Sequence, residues 1–136
     1  MQVQLTRQEG PFLFSISNNT GAVLHSDGNP NIGGSGQGFR PMELLLAGAG
    51  GCVSIDLVLI LKKQRQIVDD IQVTVSGERD ETPAKAFQSI KFHFALKGEI
   101  DEPKLNRAIG LALEKYCSVV QSLNKSIKIN YTYNIS

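Results

Sequence analysis

Two residues of this chain carry side chains suited to covalent chemistry with an oxidant, Cys52 and Cys117. They stand 65 positions apart and belong to no CxxC run or Cys/His cluster, so their spacing indicates neither a zinc site nor a disulfide scaffold. Cys52 lies in Gly48-Ala49-Gly50-Gly51-Cys52-Val53-Ser54. Glycines inside a helix each cost about 0.5–1 kcal/mol relative to alanine, so three so close together ask for a reason. Either another helix packs closely on this face, or a small substrate reaches the thiol. Cys117, in Lys115-Tyr116-Cys117-Ser118, falls where one helix ends and another begins. N–H groups at a helix start favour a thiolate, and Lys115 adds to this if it points the same way. The plain alternative for each cysteine is a small buried apolar residue, because free cysteines are commonly buried and inert.

Other candidates carry less. His25, His93 and Asp56 complete a Cys-His-Asp hydrolase with Cys52 only on paper, since nothing in their spacing supports it. The run Ile32-Gly33-Gly34-Ser35-Gly36-Gln37-Gly38 has no following Lys-Ser/Thr and places Phe39 where GxGxxG needs glycine, so a mobile loop is expected rather than a phosphate cradle. Lys62-Lys63-Gln64-Arg65 reads as a solvated helix end.

The elements that must position these residues follow from periodicity. Val3 and Leu5, then Phe12, Phe14 and Ile16, alternate as half-buried strands, with turns at Glu9-Gly10-Pro11 and Asn18-Asn19-Thr20-Gly21 leading to a third strand at Ala22, Val23 and Leu24. From Asp27 to Gly38 the composition of Gly, Asn, Ser and Pro predicts a flexible loop. Pro41 opens a helix that runs from Met42 to Lys63 and is apolar on nearly every face, which predicts burial all round. A membrane span is the rival reading by length; Glu43, Asp56 and the flanking strands speak against it. Strands follow through Ile71, Val73 and Val75 and through Ile90, Phe92, Phe94 and Leu96, each with one wet face. Asp101 caps a helix with Pro103 in its first turn and Leu105, Ala108, Ile109, Ala112 and Tyr116 at helical spacing. A short helix at Ser118–Leu123 and a strand through Ile127, Ile129, Tyr131, Tyr133 and Ile135 complete an α+β chain with mainly antiparallel sheet.

The chain has 136 residues, 41% of them hydrophobic and 20% charged, and a formal net charge of +1. That is one domain over residues 1–136, without the broad basic surface that nucleic acid or an anionic membrane requires. The start Met1-Gln2-Val3-Gln4-Leu5-Thr6-Arg7 lacks the pattern of a signal peptide, so a cytoplasmic protein with both thiols reduced at rest is expected. A monomer this small has too few layers to cover a helix apolar all round, and a second copy can supply the cover.

Arg40-Pro41-Met42-Glu43-Leu44-Leu45-Leu46-Ala47-Gly48-Ala49-Gly50-Gly51-Cys52 and Lys115-Tyr116-Cys117-Ser118-Val119-Val120 resemble the OsmC/Ohr family of thiol-dependent peroxidases. The first is similar to that family's Pro-Glu-Glu-Leu to Cys signature, with the same gap of 11 positions from Pro41 to Cys52. The second is similar to its Cys-Pro-Val-Ser region. The resemblance implies an OsmC-like fold with a long buried central helix in an intertwined homodimer. It further implies a cycle in which the Cys52 thiolate attacks the O–O bond of an organic hydroperoxide, releasing alcohol and becoming a sulfenic acid, with which Cys117 condenses to a disulfide. A dithiol or lipoylated protein would restore both thiols, with no metal or other cofactor. Met42 stands where the family's catalytic glutamate is expected, and the loop where its partner arginine is expected holds Gly, Ser, Gln and Asn. On an ideal helix Glu43, nine residues before Cys52, lies about 180° from it. These departures place the chain in a divergent branch, for which the alternative function is a non-enzymatic dimeric redox sensor or a binder of a small apolar ligand.

Overall fold

The computed structural model describes all 136 residues, in two compact units, Met1–Leu45 and Leu46–Ser136. The first unit is an antiparallel meander of β1 (Val3–Arg7), β2 (Phe14–Asn18) and β3 (Val23–Ser26). Leu5 faces Ile16, which faces Leu24, so the expected alternation sets one apolar row across the three strands. The Asn18 side chain closes the second turn by accepting from the N–H groups of Thr20 (3.1 Å) and Ala22 (3.0 Å).

The loop from Asp27 to Gly38 folds on itself through hydrogen bonds. Its centre is the buried Asp27 carboxylate, which accepts from the N–H of Gly28 (2.7 Å) and from the N–H (2.9 Å) and hydroxyl (2.5 Å) of Ser35. A single 3₁₀ turn at Pro30–Ile32 is capped by Asn29, and a Cβ at Gly34 would overlap the Gly28 carbonyl oxygen. Glycine here serves close backbone approach around a charged side chain.

Helix α1 spans Pro41–Lys63. Arg40 precedes it as its N-cap, with a capping-box contact in which the Glu43 carboxylate accepts from the Arg40 N–H (2.9 Å). The helix is not buried all round. Ala49, Val53, Leu57 and Leu61, spaced by four, are fully buried, whereas Ile55, Val58 and Leu59 are 65%, 40% and 51% exposed. One stripe packs on the sheet of the second unit, and the opposite stripe has no cover within this chain.

That sheet consists of β4 (Ile67–Arg79), β5 (Phe87–Glu99) and β6 (Lys128–Ile135) in that order. β4 and β5 are antiparallel, as expected; β6 runs parallel to β5, because helices α2 (Glu102–Leu111) and α3 (Ser118–Ser122) carry the chain back between them. The register aligns Val75, Phe92 and Tyr131 in one row and Val73, Phe94 and Tyr133 in the next. Gly50 of α1 meets Val75, where a Cβ would come within 2.8 Å of Cγ2. Tyr131 and Tyr133 donate their hydroxyls to Asn106 (2.5 Å) and Glu102 (3.0 Å) of α2. The two helices therefore cover opposite margins of the same sheet face, with Phe92 and Phe94 fully buried between them. The glycine at position 50 serves packing against a strand, not a helix, while Gly51 faces open space.

α2 starts as expected, with Asp101 accepting from the Lys104 N–H (3.0 Å). It ends in a π-helical turn, Ala112–Tyr116, closed by a hydrogen bond from the Cys117 N–H to the Ala112 carbonyl (2.9 Å). The wider turn takes up one extra residue. Cys117, not Tyr116, thereby continues the buried row of Leu105, Ala108, Ile109 and Ala112, and Tyr116 is 52% exposed. The helical spacing that placed Tyr116 in the core fails for this reason. Two carbonyls near the wide turn, those of Glu114 and Leu113, accept from the Gln121 side chain (2.8 and 3.4 Å).

Candidate active site

α1 and the junction of the π turn with α3 bring the two cysteines together. The Cys52 Sγ, the Cys117 Sγ and a carboxylate oxygen of Asp56 all lie within 4.8 Å of one another. Both thiols are free, Cys117 buried and Cys52 partly so. Sequence spacing indicated no cluster of metal-type ligands; the fold brings Cys117, 65 positions beyond Cys52 in the chain, to Cys52 and Asp56.

The start of α3 aims donors at Cys52. The Ser118 hydroxyl is 3.7 Å from its sulfur. Burial pushes the Cys52 thiol up, but the Val119 N–H, the Cys117 thiol, the Ser118 hydroxyl and the Ser118 N–H favour the thiolate and together hold it below the ordinary cysteine value. Cys117 is itself the N-cap of α3, its sulfur accepting from the Val120 N–H (3.4 Å). Burial nevertheless pushes it up to about 11; the Val120 N–H opposes this, and its hydrogen bond to Cys52 and the Cys52 charge reinforce it. The expectation that the helix start and Lys115 favour a Cys117 thiolate is thus corrected. N–H groups of the helix start favour the thiolate of both cysteines, but at Cys117 burial outweighs them, and the Lys115 ammonium sits 5.3 Å above the Tyr116 ring. The two neighbouring thiols are thus shifted in opposite directions.

Arg40 and Glu43 take another role. The Arg40 Nε lies 3.3 Å from Glu43 Oε1, and both side chains are half exposed. The N–H of Arg40, then its guanidinium, hold the Glu43 carboxyl below its usual value against a small effect of burial. No cation figures among the groups that favour the Cys52 thiolate. His93 lies on the polar face of β5, bonded through Nδ1 to the Thr132 hydroxyl (2.8 Å) and through Nε2 to Asn134 (2.9 Å), with no part in the site. Asp56 entered the sequence reading only as the acid of a Cys-His-Asp set that spacing did not support and as a charge against a membrane span, not as a neighbour of both thiols. Its one available signal was its place four residues after Cys52, on the same helix face.

This α+β chain holds a pair of adjacent free thiols, shifted in opposite directions, at a helix junction. The family model described as OsmC-like protein matches residues 34–132, and the chain belongs to that family. Protein YhfA of Escherichia coli (strain K12) is 42% identical over 96 residues, which are 70% of this chain and 72% of that one. The crystal structure of a hypothetical protein from Aquifex aeolicus VF5 is 32% identical with a TM-score of 0.79, covering 99% of this chain and 96% of that one. An organic hydroperoxide resistance protein OsmC from Legionella pneumophila shares the fold at 17% identity, with a TM-score of 0.75 and coverage of 98% and 95%. The resemblance drawn from the two cysteine segments and the expected α+β class both hold.

Proposed function

We propose that this chain reduces organic hydroperoxides through a two-thiol cycle, with Cys52 attacking and Cys117 resolving. The observation that carries the reading is the pair of sulfurs within 4.8 Å, one thiol held below its ordinary value and the other pushed up to about 11. The Cys52 thiolate attacks one oxygen of the O–O bond, the alcohol leaves, and a sulfenic acid forms on Cys52. The Cys117 sulfur displaces hydroxide from it to give the disulfide. An external dithiol, free or on a lipoylated protein, reopens the disulfide by exchange. The apolar helix that carries Cys52 favours an alkyl peroxide over hydrogen peroxide, because the alkyl group gains by leaving water.

The working form is a homodimer. A second copy covers Ile55, Val58 and Leu59, which no part of this chain covers. Its setting is the cytoplasm, where the resting thiols stay reduced. A net charge of +1 supports no nucleic-acid or membrane partner. The test is hydroperoxide consumption in the presence of a dithiol: turnover with cumene hydroperoxide that Cys52→Ser abolishes supports the reading, and no turnover with dihydrolipoamide or dithiothreitol refutes it.

The mutual engagement of Arg40 and Glu43 favours a second reading, a non-enzymatic redox sensor or binder of a small apolar ligand in the same dimer. Ligand-induced stabilisation that survives replacement of both cysteines is its signature.

A further inference from the structure

Asp56 presents a carboxylate oxygen, Oδ2, that is buried and accepts no hydrogen bond. A buried acceptor left without a donor costs about 1–3 kcal/mol, and more when charged, so an orphan of this kind calls for a use. What stands beside the carboxylate is the thiol pair, within 4.8 Å. Of the two thiols, Cys117 is the one that must lose a proton late in a redox cycle, since a thiolate and not a thiol displaces a leaving group from sulfur. Its burial holds that proton firmly, with a value about 11.

We propose that Asp56 is the proton acceptor for Cys117 during disulfide closure. The assignment rests on the two-thiol cycle above. In the step, the Cys117 S–H bond breaks and its proton passes to the Asp56 carboxylate. The electron pair on the Cys117 sulfur forms the S–S bond while the S–O bond of the Cys52 sulfenic acid breaks. Hydroxide leaves on the more open side of Cys52 and takes a proton from solvent, and Asp56 returns its proton to solvent. The sum is sulfenic acid plus thiol giving disulfide plus water: the Cys117 sulfur is oxidised and the Cys52 sulfur reduced.

The experiment separates the two chemical steps in wild type, Asp56→Asn and Asp56→Ala. Hydroperoxide consumption reads the first, and free-thiol loss with dimedone trapping of sulfenic acid reads the second. General-base assistance contributes typically 10²–10⁴-fold, so Asp56→Asn is expected to slow closure at least about 100-fold more than it changes the first step, with dimedone-trapped Cys52 accumulating. Added formate is expected to speed closure in Asp56→Ala, which a purely structural carboxylate does not explain. Closure at the wild-type ratio in Asp56→Asn, or no acceleration of Asp56→Ala by formate, overturns the proposal. The same variants are also oxidised with diamide, where the Cys117 sulfur displaces the hydrazine from its Cys52 adduct and must again lose its proton. This arm reads Asp56 even where no hydroperoxide reacts, so failure of the peroxidase reading and failure of this one give different results.

Discussion

Alkylation of the reduced chain by iodoacetamide at neutral pH is expected to fall on Cys52 before Cys117, and the margin follows from the site. Cys117, pushed up to about 11, is thiolate in only about one molecule in 10⁴ at pH 7, whereas an ordinary thiol near 8.5 is about 3% ionised. Cys52 lies below the value of 9.0 from which both thiols start, so its thiolate population exceeds that of Cys117 by at least about 100-fold. Nucleophilicity works the other way. With a Brønsted slope of about 0.4–0.5, a thiolate about 2 pKa units more basic is about 6–10 times more reactive per anion. Ionisation wins, leaving Cys52 about 10-fold faster before the complete burial of Cys117 widens the gap. Peptide mapping by mass spectrometry over a time course measures the two rates. Equal labelling, or Cys117 first, would refute the assignment of attacking and resolving thiols.

Three further outcomes test the scaffold. Gly50→Ala sets a Cβ within 2.8 Å of Val75 Cγ2, and overpacking of about 1–3 kcal/mol outweighs a helix gain of about 1 kcal/mol, while Gly51→Ala meets nothing within 4 Å; urea melts should show the first variant less stable than the second, and the reverse order would place the packed face wrongly. Gln121→Ala strips the donor from the Glu114 and Leu113 carbonyls and is expected to cost about 1 kcal/mol, with no loss in the melt counting against its role beside the π turn. The Ser35 hydroxyl, opposed by burial and aided by the N–H groups of Gly28, Ser35 and Gln37, holds the Asp27 carboxyl below its usual value. A depressed folded value means stabilisation fully present above the unfolded value of about 3.9 and lost as pH falls through the folded one. Asp27→Asn should therefore speed amide exchange at Gly28 and Ser35 at neutral pH, and unchanged exchange would show that the loop does not depend on this charge.

The order of strands and helices was legible because each element carries its own period: Ile90, Phe92, Phe94 and Leu96 alternate, and Asp101 marks a helix start three residues before Lys104. The features that define the site depend on contacts or on one-residue changes in helical pitch. Nothing in the run from Ala112 to Tyr116 announces a π turn, so an ordinary helix puts Tyr116 in the core and turns Cys117 away. The loop from Asp27 to Gly38 has the composition of a flexible segment, and only the folded chain shows Ser35 returning to the Asp27 carboxylate. The apolar circumference of α1 was read correctly as too much for one stripe, but half of it stays uncovered within this chain. Asp56 was visible as a charge in an apolar helix and as the acid of an unsupported Cys-His-Asp set. Its unpartnered oxygen and the place of its carboxylate beside two sulfurs are facts of tertiary structure.

Whether Cys52 and Cys117 act as one redox unit is decided by product analysis after a single oxidation. One equivalent of cumene hydroperoxide is added to the fully reduced chain without any reductant, and the protein and the organic product are both quantified by mass spectrometry. The expected products are one equivalent of alcohol, an intrachain Cys52–Cys117 disulfide, and in Cys117→Ser a sulfenic acid on Cys52 that dimedone captures. Unconsumed hydroperoxide with both thiols still free would contradict the two-thiol cycle.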